Sequence, residues 1–273
     1  MITLVGSGNV ATWMAQRLQG SSRFPITQVY SRKLENARRL ADMSGAEAID
    51  DIKALNPDNQ IFIFALADSA YESVLPQLPF RLPLAFLTSG TVSCQCLKDY
   101  ADRYGVIYPL QTFTKSQDMR SLEVPLCLES DFVREDKEQQ SCCCSDPLQE
   151  CGASYELMWS LARELSPKCY EVSESQRARM HVAAVFACNF SNAMYQIAYK
   201  LLEEKALPFE ILLPVLRQTV EKVSQMTPAE AQTGPAVRGD MNVMRAQMAE
   251  LEDERLRELY RMMSDIIMRR GDQ

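Results

Sequence analysis

The residues best suited to hold a ligand open the chain. Gly6-Ser7-Gly8-Asn9-Val10-Ala11 spell G-x-G-x-x-A directly after the apolar run Ile2 to Val5. In such a segment Gly6 permits a tight turn, Gly8 lets a diphosphate approach the backbone, and small Ala11 lets a helix pack closely on the strand. The helix N-terminus formed here offers free amides and a partial positive charge to phosphates. Ser7, Asn9 and Val10 belong to the same cradle, and the pattern points to a dinucleotide.

Which dinucleotide is read at the end of the second apolar run, Ile26 to Tyr30. An NAD site usually places an acid there, toward the ribose hydroxyls. This chain continues Ser31-Arg32-Lys33, with no acid until Glu35. Ser31, Arg32 and Lys33 suit a 2′-phosphate, since a guanidinium gives paired donors and full charge. Cations at a helix start are mildly unfavourable by themselves, which a bound phosphate reverses. The expected cofactor is NADP, with NAD less favoured. Ala65-Leu66-Ala67 and Thr88-Ser89-Gly90 close later apolar runs and are expected to line the same cofactor site, beyond the carboxyl ends of the strands.

For the chemistry itself the candidates are His181, Asn189 and Arg238. His181 is the only histidine, the side-chain type that titrates nearest neutrality. As a general acid it would protonate a carbonyl or imine while hydride arrives; the alternative is a hydrogen-bonded structural residue. Asn189, about two turns further along the same helix, would orient substrate. Arg238 follows a Gly-Pro break and would grip a carboxylate through paired hydrogen bonds, or else stand as a solvated surface cation. Asp240 reads as a helix cap.

These residues need elements to position them. Short apolar runs alternate with helical segments up to Val172: strands at 2–5, 26–30, 46–49, 61–66, 84–87, 106–108, 124–128 and 169–172, with helices at 10–18, 34–43 and 155–165. Such alternation marks an α/β domain with a mostly parallel sheet. Residues 131–153 read as a polar, irregular excursion. Beyond Val172 the chain is helical, over 174–204, 209–226 and 241–269, with an apolar stripe in the last helix that takes a five-residue step between Leu251 and Leu256. The expected organisation is a Rossmann-type nucleotide-binding domain at 1–172 and an all-α domain at 173–273.

Composition sets the outer limits. Of 273 residues 47% are hydrophobic and 24% charged, and the formal net charge is -7, which suits a globular protein and argues against a nucleic-acid binder. No run is long enough to cross a bilayer, and a strand occupies the place of a leader, so a cytoplasmic protein is expected. Nine cysteines include Cys142, Cys143, Cys144 and Cys151; three adjacent thiols without a nearby histidine make a poor tetrahedral metal site, and no metal is expected. The many methionines and leucines of the C-terminal helices point to a homodimer packed through them.

The segments Leu4 to Ala11, Val29 to Arg32, Thr88 to Gly90, Tyr108-Pro109-Leu110-Gln111-Thr112-Phe113, His181 to Phe190 and Thr233 to Asp240 together resemble a group of bacterial Rossmann-like proteins. These are described as deazaflavin-dependent NADP oxidoreductase-like and carry a C-terminal helical domain of unknown function. Pyrroline-5-carboxylate reductase and the β-hydroxyacid dehydrogenases are similar more distantly. The resemblance implies a reductase or dehydrogenase that dimerises through its helical domain. Leu87 and Gln247 stand where histidines are common in the group. In β-hydroxyacid dehydrogenases a catalytic lysine precedes an interdomain asparagine by one helical turn; with Asn189 as that asparagine, the lysine position holds Val185. The expected function is an NADP-dependent oxidoreductase moving hydride between nicotinamide and a small polar substrate held between the two domains. The alternative is a non-catalytic NADP-binding sensor or scaffold.

Overall fold

Strand β1 (Ile2–Val5) is the centre from which the sheet grows. In the computed structural model, which describes residues 1–114, 118–132 and 147–269, β1 pairs in parallel with β2 (Ile26–Tyr30) on one side and β4 (Ile61–Phe64) on the other. The remaining strands are β3 (Glu47–Ile49), β5 (Leu82–Leu87), β6 (Ala101–Pro109), β7 (Leu126–Ser130) and β8 (Cys169–Glu171). They form one eight-stranded sheet in the order β3-β2-β1-β4-β5-β6-β7-β8. Among the described residues only the β6–β7 pairing is antiparallel. The order reverses at β1, so the crevice beyond the carboxyl ends of β1 and β4 is where such a sheet binds ligands.

Side-chain alternation divides each apolar strand between two cores. Ile61 and Ile63 pack with Leu4 and Phe86 under helices α1 (Asn9–Arg17), α2 (Leu34–Ser44) and α4 (Pro147–Leu165). Phe62 and Phe64 face the other way, toward Val5, Leu87, Tyr108 and helix α3 (Tyr71–Val74). This double burial is why Ile61 to Phe64 is apolar without a break.

Several boundaries differ from those read in the sequence. The fourth strand ends at Phe64, which releases Ala65-Leu66-Ala67 into the loop. The sixth starts at Ala101 rather than Val106, because its polar first half still pairs with β5 from Leu82 onward. Helix α4 starts at Pro147, a residue tolerated in a first helical turn, where its missing N–H is no loss. Cys142, Cys143 and Cys144 lie outside the described residues, and Cys151 sits in α4.

Helix α5 (Glu174–Ala184) leads into a π-helical segment, Val185–Phe190, and then into α6 (Ser191–Glu203). The chain forms two compact units, Met1–Asn192 and Ala193–Gln273, whereas the sequence reading placed the division after Val172. Residues 173–192 join the first unit because α5 is tied to the sheet by its own side chains, described below. In the second unit a 3-10 turn (Phe209–Leu212) precedes α7 (Leu213–Gln225), followed by α8 (Pro228–Ala231), α9 (Met241–Ala249) and α10 (Glu254–Met268). The single helix expected over 241–269 is therefore two. The break falls at the five-residue step in the apolar stripe, and Asp253 caps the new helix by accepting from Arg255 N–H. Asp240 caps α9, accepting from Val243 N–H at 3.2 Å. Among the described residues no helix is long and apolar enough to cross a membrane.

Candidate functional site

A cavity of about 550 Å³ opens beyond the carboxyl ends of β1, β2 and β4, lined by Gly6, Ser7, Gly8, Ser31, Arg32, Lys33, Ala65, Leu66 and Ala67, with Tyr30, Asn36, Ala70 and Val74. Gly6 is there for the protein's own sake. Its φ is +123°, and a Cβ would lie 2.2 Å from the Ala65 carbonyl oxygen, so the β1 and β4 loops can meet only at a glycine. Gly8 differs: a Cβ there would come no nearer than 3.9 Å to Ala65. Among the described residues nothing comes closer to a Cβ at Gly8; what that Cβ would take up is the cavity that Gly8 lines.

Gly8 also caps α1 without a side-chain hydrogen bond, leaving first-turn amides for an acceptor from outside. Ser7 Oγ and Ser31 Oγ are 2.8 Å apart, which ties the glycine turn to the basic segment after β2. These residues fit a dinucleotide: a glycine cradle, uncapped amides, and Arg32 and Lys33 on one wall. The rest of the motif lies behind the cavity lining. Ala11 is fully buried under the sheet, Val10 packs partly buried against the same core, and Asn9 donates from Nδ2 to the Phe113 carbonyl at 2.7 Å.

Thr88-Ser89-Gly90 stands apart from this lining. Thr88 Oγ1 donates to the Phe64 carbonyl, and Ser89 Oγ accepts from the N–H groups of Thr91 and Val92, so both hydroxyls serve the turn. The same turn receives α5. Arg177, with no exposed surface, donates to the Ser89 and Val92 carbonyls at 3.0 Å each and to Glu129 Oε2 at 2.9 Å. One helical turn later, His181 comes to rest against Gly90 and accepts or donates at Nδ1 with the Tyr108 hydroxyl, 2.9 Å away. Burial pushes the Cys94 thiol up, with help from Glu129, so it stays protonated and donates to Glu129 Oε1.

Asn189 lies exposed in the π-helical segment, and Arg238 lies exposed in the turn between α8 and α9 of the second unit. Sequence reasoning missed Arg177, Glu129 and Tyr108. Arg177 and Arg179 are two similar cations two residues apart, and only the register of α5 shows which is buried. Tyr108 stood in a quoted motif without a role.

The molecule is thus a Rossmann-type α/β unit followed by a helical unit. Residues 149–267 match the family described as a domain of unknown function (DUF2520). A Bacteroides fragilis protein called a "putative NADP oxidoreductase" is 34% identical, with a TM-score of 0.79 over 98% of this chain and 97% of that one. The chain belongs to the family of that protein, Rossmann-like NADP oxidoreductase-type chains with a C-terminal helical domain. A Thermotoga maritima protein at 20% identity (TM-score 0.69, all of both chains) and a 1-pyrroline-5-carboxylate reductase from Streptococcus pyogenes at 16% (TM-score 0.60, 98% of this chain and 97% of that one) share the fold. No curated protein matches the sequence.

Proposed function

We propose that the chain is an NADP-dependent oxidoreductase acting on a small polar molecule with a carbonyl or imine group. The observation that carries this reading is the cavity itself, where the Gly6–Gly8 cradle and the Ser31-Arg32-Lys33 wall line one space. First-turn amides of α1 hold the diphosphate. Arg32 and Lys33 would hold the 2′-phosphate, beside a Ser31 hydroxyl that is hydrogen-bonded to Ser7. When bound, NADPH supplies a hydride from its nicotinamide ring. His181, on α5, serves the polar atom of the substrate.

We also propose that the protein is a homodimer. Among its described residues the second unit buries only Ala236, Met244 and Ser264. Ile211, Val215, Val220, Val223, Met262 and Ile266 are all exposed, an arrangement that a second copy of the same helices would cover.

The test of the oxidoreductase reading is NADPH consumption over a panel of carbonyl and imine compounds. Turnover that falls in His181→Ala supports it. Tight NADPH binding with no turnover on any compound favours the sensor reading instead.

A further inference from the structure

Tyr108 and His181 share one proton position. Tyr108 lies next to the end of β6 with only 9% of its surface exposed, and its hydroxyl lies 2.9 Å from His181 Nδ1. This is the one hydrogen bond that either side chain makes among the described residues. If the imidazole donated from Nδ1, the phenol proton would be left in a largely buried place without an acceptor, which folded proteins avoid. If the phenol donates, the imidazole proton sits on Nε2 of a ring that is only half-buried, where an acceptor can reach it. Burial pushes the Tyr108 phenol up to about 12, so it carries its proton at neutral pH.

We propose that Tyr108 is a positioning residue: its hydroxyl donates to Nδ1 and fixes neutral His181 in the form protonated at Nε2. His181 is then a hydrogen-bond donor toward the polar atom of a substrate, not a proton acceptor. A neutral imidazole used in this way polarises a carbonyl or imine and leaves the ring's own proton in place. The pair is braced from two sides. A Cβ on Gly90 would fall 2.4 Å from His181 Nδ1 and 3.0 Å from Tyr108 Cζ, so nothing larger than glycine leaves the two rings together. Arg177, one turn earlier on α5, fixes the helix to the Ser89 and Val92 carbonyls and to Glu129. The donor role rests on the proposed oxidoreductase function; the position of the proton does not.

Because the chain has a single histidine, isotope-labelled protein gives one imidazole pattern in a long-range proton–nitrogen correlation spectrum. At a pH where the ring is neutral, the expected pattern has a bare Nδ1 and a protonated Nε2. In Tyr108→Phe a measurable fraction should move to the form protonated at Nδ1. A wild-type spectrum with the proton on Nδ1 overturns the proposal, as does an unchanged pattern in folded Tyr108→Phe. Should that variant fail to fold, the wild-type spectrum decides alone. Failure to bind NADPH or to turn over would overturn the proposed function and leave this spectrum as it is.

Discussion

The two units solve the burial problem differently. Met1–Asn192 closes around two cores of its own, one on each face of the sheet, and even its charged Arg177 has every neighbour it needs. In Ala193–Gln273 side chains cap three helices, with Thr227 and Glu230 forming a capping box at α8 and Asp240 and Asp253 starting α9 and α10. Yet its apolar faces stay largely uncovered. Local hydrogen bonding specifies where helices begin, but stability comes from packing an apolar face against something. The first unit thus carries most of the buried core, and the homodimer proposed above would cover the apolar faces of the second.

Changes in the first unit should be the more damaging. Gly6→Ala places a Cβ 2.2 Å from a backbone oxygen at a φ of +123°. It should cost at least about 3 kcal/mol and abolish dinucleotide binding; urea melts and a cofactor titration check both, and near-normal values would refute the role given to that glycine. Arg177→Ala leaves Glu129 and two carbonyls without their cation. Removing one partner of a buried ion pair typically costs about 3 to 5 kcal/mol, so the urea midpoint should drop sharply; a loss under about 1 kcal/mol would show that the pair contributes little.

Changes in the second unit should act on assembly instead. Ile211→Asp with Val215→Asp puts charge on two exposed apolar positions one helical turn apart. The variant should run as a monomer in light scattering at micromolar concentration while keeping its NADPH affinity. A wild-type chain already monomeric there would end the partner reading.

The smallest effect concerns pH. Tyr108 is raised by burial to about 12 from its ordinary 10.0, so folding favours its protonated form. That contribution is complete below about pH 10 and is lost as pH rises through about 12. Tyr108→Phe should therefore lose less stability over that window than wild type. An identical slope in the two proteins would contradict the direction of the shift.

The same contrast explains what the sequence disclosed. Elements of the first unit were legible because burial on both sheet faces writes unbroken apolar runs such as Ile61 to Phe64, and the glycine turn follows β1 at once. Ser31-Arg32-Lys33 stands out because cations at a helix start are mildly unfavourable by themselves, and all three line the cavity. Arg177, Glu129 and Tyr108 left no such mark, since each matters through a partner distant in the chain: 48 residues separate Arg177 from Glu129, and 73 separate Tyr108 from His181. Thr88-Ser89-Gly90 was rightly seen as closing a strand, but a turn's neighbours depend on the arrival of α5. In the second unit the break between α9 and α10 is visible as an irregular step in the apolar stripe, between Leu251 and Leu256.

The central claim is that the cavity beyond β1, β2 and β4 holds NADP through the basic segment after β2. Calorimetric titration of NADPH and NADH into wild type and Arg32→Ala tests it most directly. A hydrogen bond to a charged group is worth about 1.5 to 3 kcal/mol, so NADPH should bind at least about tenfold more tightly than NADH. Arg32→Ala should remove most of that margin and leave NADH affinity nearly unchanged. Equal affinities in wild type, or a preference that survives the substitution, would contradict the account.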